Sequence, residues 1–563
     1  MRLVGLALIT KNGGEERNTA RWRSSILGVV LVAVAFTPLM AQRRPGFPSS
    51  SDWPMFGQNP ANTASNAAET GISTSTAPRL KTKWTFLTGG DVSARAAVVK
   101  GVVYFPDWGG NLWALNASTG EVIWSHQISD YGLAMGTVSR TSPTVANGIL
   151  YIGTRYVAPA TAATPQPPTG WLLAIDAASG NLWWKMQPDT SNPFPVITGS
   201  PVVARGMVFV PMTSNEEYAA ANPAYPCCSV SGSVVAVDAL FGLKLWETFT
   251  VPKGYSGGGV WGSNPVVDLD RGTVFVGTGN NYSVPTDPRY VACVAKGGTR
   301  ATCQSPDNHA DSILALDMNT GRIKWATRLE KWNQTLTENV ANGSDFSNAD
   351  CISAEPGTVN CPIAFGPDYD FGSAPNEITY QSGWNSKTII GAGQKSGIYY
   401  ALDPDTGAEL WHTQVGPGSS LGGIEWGSAT DGTRIYVAIC DFNGIPYAAG
   451  SAGSWAALDP ATGAILWQKA DPNGGFDIGP MAVANGVVYA DSMGGRYSAV
   501  AQTMLALDSS TGETLWSFSA GSSVNAGATI VDGTVYWGSG YGHMGPALGS
   551  FNYRFYAFSI DGK

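Results

Sequence analysis

Few residues in this chain can do chemistry, because only 13% of its 563 positions are charged and it holds just 4 histidines. Those that stand out fall in short polar or aromatic segments. Ser214-Asn-Glu216-Glu217 offers adjacent carboxylates, and Leu329-Glu330-Lys331-Trp332-Asn333 offers another. Ser256-Gly-Gly-Gly-Val-Trp261 presents an indole, followed nineteen residues later by the amide of Asn280 in Gly277-Thr-Gly-Asn280. Cations stand in Ser139-Arg140 and in Gly393-Gln-Lys395-Ser-Gly397, and hydroxyls in Thr198-Gly-Ser-Pro201. Such groups pair with anions, ligate hard cations, support flat rings and move protons.

Other chemistries lack their residues. The 7 cysteines include no CxxC and the histidines are scattered, which argues against zinc. There is no CxxCH for a c-type haem. Gly257-Gly-Gly259 lacks the Lys-Ser/Thr ending of a phosphate-binding loop. Asp403-Pro-Asp405-Thr-Gly407 lacks the closing Glu of a calcium loop, and its pattern recurs along the chain as a turn. Cys293/Cys303 and Cys351/Cys361 lie ten apart in loop-like text and suit disulfides. Cys227-Cys228 is open to a vicinal disulfide, separate partners or free thiols, and Cys440 is left over.

These segments need a scaffold, and a repeat supplies it. Ala-x-Asp/Asn, three residues, Gly, three residues, Trp recurs in seven full copies, from Ala114…Asn116…Gly120…Trp124 to Ala506…Asp508…Gly512…Trp516. An eighth copy is divided: Ala557…Ser559…Gly562 lacks its Trp, and Trp84 lacks its turn. Asp and Gly around small residues make a tight turn, and the Trp that ends the next strand can dock between sheets. Eight such units predict an all-β, eight-bladed propeller whose first and last strands share one blade. The intervals ending at Trp325 and Trp411 are the longest, 79 and 86 residues, so insertions in the middle blades are expected to roof a site.

The chain carries 33 basic and 42 acidic residues and no basic cluster, which excludes a nucleic-acid-binding role. Ile26 to Met40 is apolar, follows Arg17, Arg21 and Arg23, and precedes Ala41. That pattern predicts a secretory signal over 1–41, a lead-in over 42–79 and the propeller over 80–563. A periplasmic or secreted protein without a later membrane span is expected.

The repeat phrase resembles the tryptophan-docking repeat of quinoprotein dehydrogenases, eight-bladed propellers that bind pyrroloquinoline quinone (PQQ). The likeness covers about residues 52–563. Within that family the text is most similar to polyvinyl-alcohol-dehydrogenase-like proteins, on Asn215-Glu-Glu…Pro226-Cys-Cys228, Gly366-Pro-Asp-Tyr-Asp-Phe-Gly372, Ala392-Gly-Gln-Lys-Ser-Gly397 and Gly422-Gly-Ile-Glu-Trp-Gly427. The resemblance implies oxidation of secondary or polymeric alcohols, with electrons passed to a separate cytochrome c. The alternative is a non-catalytic propeller serving as a binding or envelope-assembly scaffold, since outer-membrane assembly lipoproteins use the same repeat.

The resemblance also assigns roles. Trp261 stacks under the quinone, Arg140 and Thr198 bind its carboxylates, and Lys395 bonds the reactive quinone oxygens. Glu216, favoured over Glu217 by ungapped spacing, and Asn280 ligate Ca²⁺. The family's proton-abstracting Asp falls at Glu330, with Asp345 and Asp350 as alternatives of poorer spacing.

Overall fold

The phrase Ala-x-Asp-x-x-x-Gly-x-x-x-Trp folds as one hairpin wherever it occurs. In the copy at Ala174 the Asp176 carboxylate accepts the Ser179 N–H at 2.8 Å, and Gly180, at φ 74°, donates its N–H to the Asp176 carbonyl. The chain then runs back so that Trp184 faces Ala174 across the pair, as Trp124 faces Ala114 and Trp516 faces Ala506. The computed structural model describes residues 51–157, 169–262, 264–330, 345–353, 358–363, 365–494, 501–545 and 549–563. The expected signal segment and residues 331–344, with Trp332 and Asn333, lie outside them.

Eight antiparallel sheets of this kind form the blades, seven of four strands and one, blade 3, with a fifth short strand added, and a separate two-stranded ribbon pairs Thr137–Val138 with Arg155–Tyr156. Blades 1 to 7 span residues 97–127, 144–186, 202–249, 266–328, 376–414, 429–470 and 482–518. Blade 8 takes three strands from 529–560 and its outermost strand, Leu80–Leu87, from the other end of the propeller sequence. There Trp84 pairs with Ala557, so the divided eighth copy is reunited across the closure.

Tryptophans weld each blade to the next. The Trp84, Trp124, Trp246 and Trp467 indoles donate to carbonyls of Ala117, Ala177, Met318 and Ser509 in the following blade's turn, at 3.0–3.1 Å. Trp516 closes the circle on the Leu80 carbonyl at 2.9 Å. The turn glycine lies against the docked ring. A Cβ on Gly321 would sit 2.5 Å from Trp246 Cε3, and φ there is +71°, so space and backbone both demand glycine. Middle strands are apolar on both faces because each blade is covered by two neighbours, as in Leu172-Leu-Ala-Ile175, all buried.

The lead-in is part of the fold. Its backbone accepts N–H groups from Val145, Val267, Glu377 and Thr430 on Pro54, Pro60, Ala61 and Thr63, the donors standing on the first strands of blades 2, 4, 5 and 6. Trp53 bridges Val98, Ser65 bridges Val483, and Asn66 reaches the Ile530 carbonyl. First strands of neighbouring blades pack around the axis, so this segment lies across the axial channel. No helix among the described residues is long and apolar enough to cross a membrane.

Candidate active site

Antiparallel pairing places the start of a blade's first strand and the end of its second at one end of the propeller. The repeat turns, between third and fourth strands, lie at the opposite end. Segments entering first strands carry Arg140, Thr198, Trp261, Asp368, Asp370 and Glu425, and loops leaving second strands carry Arg155, Glu217, Asn280, Lys395 and Tyr541. All of these except Asn280 line one cavity of about 330 Å³.

Trp261 and Lys395 organise its floor. The Trp261 indole donates to Asp370 at 2.6 Å, and the Thr198 hydroxyl donates to the Trp261 carbonyl at 2.7 Å. Lys395 Nζ lies 5.1 Å above the Trp261 ring and donates to Asp368 at 3.1 Å and Asp370 at 3.3 Å. Trp426 stands at 83° to Trp261, and the Arg140 guanidinium lies 4.0 Å from the Trp426 ring. Asn280 donates its backbone N–H to Asp370 at 2.6 Å, which ties it to the same cluster.

Burial and charge set the protonation. Burial alone would lower Lys395, but Asp368, Asp370, Glu425 and Glu217 outweigh it and hold the ammonium well above its ordinary range. Burial pushes Asp368 well above the usual carboxylate range, against the pull of Lys395. Burial likewise raises Glu217 and Glu425 to about 7, again opposed by Lys395.

The expected site residues divide. Arg140, Thr198, Trp261 and Lys395 converge on the cavity, with Asn280 beside it. Glu216 and Glu330 do not. Glu216 has turned inward, where its carboxylate accepts from Tyr225 Oη at 2.7 Å and from the N–H groups of Ser229 and Val230, so it braces its own loop. Its neighbour Glu217 lines the cavity instead. Glu330 lies in a separate rim pocket, with Oε1 bonded to Arg328 Nε at 2.8 Å. Asp345 accepts the N–H groups of Asp368 and Tyr369, pinning that turn, and Asp350 accepts those of Asn360 and Cys361. Asp368, Asp370 and Glu425 went unassigned in sequence although they stand in the Gly366–Gly372 and Gly422–Gly427 segments. Acids flanking aromatic residues outside the repeat phrase were the available signal.

Known proteins match this chain along most of its length. A family model described as "Outer membrane protein assembly factor BamB" matches residues 68–327 and 394–545. A polyvinylalcohol dehydrogenase of Sphingopyxis sp. (strain 113P3) is 31% identical over 86% of this chain and 73% of its own length. The chain belongs to that repeat family and to the polyvinyl alcohol dehydrogenases. A second such enzyme, from Pseudomonas sp., is 32% identical over 88% of the chain and 74% of its own length. Among solved structures, quinohemoprotein alcohol dehydrogenase from Comamonas testosteroni shares the fold, with a TM-score of 0.64 at 19% identity over 91% of this chain and 81% of that one.

In this family member the cavity's donors suit a planar polycarboxylate and a hard cation. Trp261 offers a flat face, and Arg140 and Thr198 offer cationic and hydroxyl partners for carboxylates. The buried oxygen Asn280 Oδ1 has no hydrogen-bond partner, which hard-cation coordination would satisfy. The disulfides Cys227–Cys228, Cys293–Cys303 and Cys351–Cys361 all form, and Cys440 is buried and free.

Proposed function

We propose that this chain is a PQQ- and Ca²⁺-dependent dehydrogenase of secondary alcohols, polymeric ones included, that passes electrons to a separate cytochrome c. The observation that carries the reading is the buried Lys395 ammonium held by Asp368 and Asp370 directly above the Trp261 ring. The relatives' names supply the substrate class.

Bound PQQ would supply a carbonyl that accepts hydride. Trp261 would support its ring, while Arg140 and Thr198 hold carboxylates. Lys395 would donate a hydrogen bond to the reacting quinone oxygens, its charge strengthened by the dry surroundings. Glu217 and Asn280 Oδ1 would be the protein's oxygen donors to Ca²⁺. Asp368 replaces Glu330 as base: its Oδ1 is free of protein donors while Oδ2 is anchored by Lys395, so it would take the alcohol's hydroxyl proton at Oδ1. The disulfides and the family support a periplasmic or extracellular location behind a signal peptide over 1–41, with a lead-in over 42–79 and the propeller over 80–563.

The test is reconstitution. Apo-protein given PQQ and CaCl₂ is expected to bind the quinone and oxidise 2-propanol and polyvinyl alcohol oligomers in a dye-linked assay. Absence of both uptake and turnover would refute the reading.

A further inference from the structure

A second arginine lines the cavity with Arg140, and none of the roles above uses it. Arg155 follows the second strand of blade 2 and lines the cavity together with Arg140. Its guanidinium lies 5.6 Å from the centre of the Trp108 ring. That ring is itself backed by His543, stacked at 3.3 Å, which lies 3.6 Å from Asp91. Arg155 Nη2 donates to Asn215 Oδ1 at 3.3 Å, and Nε is buried without a partner.

No described carboxylate lies within ion-pair distance of Arg155 or Arg140. Burial first, and Arg140 next, lower the Arg155 pKa. Glu425 lies near enough to Arg140 to feel its charge, but no described carboxylate acts on Arg155, and a desolvated cation without a counter-charge is costly, more so beside a second one. Such a pair persists most cheaply where a ligand brings the negative charge. Arg140 presents its plane against Trp426 and donates to Tyr541 Oη at 3.4 Å, so both guanidiniums rest on tryptophans with donors left for the cavity.

We infer that Arg155 and Arg140 form a two-guanidinium clamp for the carboxylates of the planar ligand, with Arg155 as a cofactor-binding residue in its own right. The inference rests on the quinone reading. Arg140 alone would hold one edge of such a ligand; a second fork fixes its rotation above Trp261 and hence which carbonyl meets Lys395.

Binding tests it without turnover. Apo-protein in CaCl₂ is titrated with PQQ, and separately with its uncharged trimethyl ester, by quenching of tryptophan fluorescence. Arg155→Gln is expected to weaken PQQ about tenfold to a hundredfold while leaving the ester's affinity unchanged. Arg155→Lys should recover only part of the loss, because an ammonium lacks the fork. Apo Arg155→Gln should melt no lower than wild type, since it removes an unpaired buried charge. Undiminished PQQ affinity in Arg155→Gln overturns the clamp and leaves the quinone reading standing. So does an equal loss for acid and ester, which would mean that Arg155 shapes the cavity without reading charge. Wild-type protein that binds no PQQ overturns the quinone reading, and the clamp with it.

Discussion

Replacing Asp368 by Asn tests which carboxylate takes the proton. The amide keeps the shape, and its oxygen can still accept from Lys395, which also keeps Asp370 at 3.3 Å. What is lost is the basic oxygen at Oδ1. A positioned general base is worth about 10²–10⁴ in rate, or roughly 3–5 kcal/mol at about 1.36 kcal/mol per decade. Glu330→Gln is the matched control, because that side chain is bonded to Arg328 in the rim pocket and does not line the cavity. Single-turnover reduction of quinone-loaded enzyme at saturating 2-propanol, followed by absorbance, should slow about a thousandfold for Asp368→Asn and less than about twofold for Glu330→Gln. PQQ affinity, measured in parallel, separates loss of chemistry from loss of cofactor. An Asp368→Asn variant retaining more than about a tenth of the rate, or a Glu330→Gln variant as slow as it, would refute the assignment.

Two further predictions concern the scaffold. Gly321→Ala forces a Cβ to 2.5 Å from Trp246 and loosens its bond to Met318, so about 3–4 kcal/mol should be lost in guanidinium unfolding. Gly101→Ala, at φ +76° in open space, should cost only about 1 kcal/mol, and equal losses would disprove docking as the cause. The apo-protein should also lose stability as pH rises. Burial raises Asp345 and Asp491 to about 7, so between about pH 4 and 7 the native state keeps protons that the unfolded chain, titrating near 4, has released. Stability is then highest below that window and falls through it. A melting temperature that climbs from pH 5 to pH 8 would contradict this.

The sequence by itself determined the scaffold. Turn, docked ring and covering glycine are encoded within a dozen residues, so repetition exposes them, and the stray Trp84 and the unfinished copy at Ala557 already implied the shared blade. It also located the segments that build the site, because residues such as Trp261 and Lys395 stand outside the repeat phrase. Only the tertiary structure decided which carboxylates matter. Glu216 and Glu217 are neighbours, yet a short helix at the end of a strand turns one into the loop and the other into the cavity. Asp368 meets Lys395 only because the segment entering the first strand of blade 5 and the loop leaving its second end at the same face. The lead-in's place across the axis was equally out of reach: its partners are backbone groups of seven blades, and backbone hydrogen bonds leave no side-chain pattern to read.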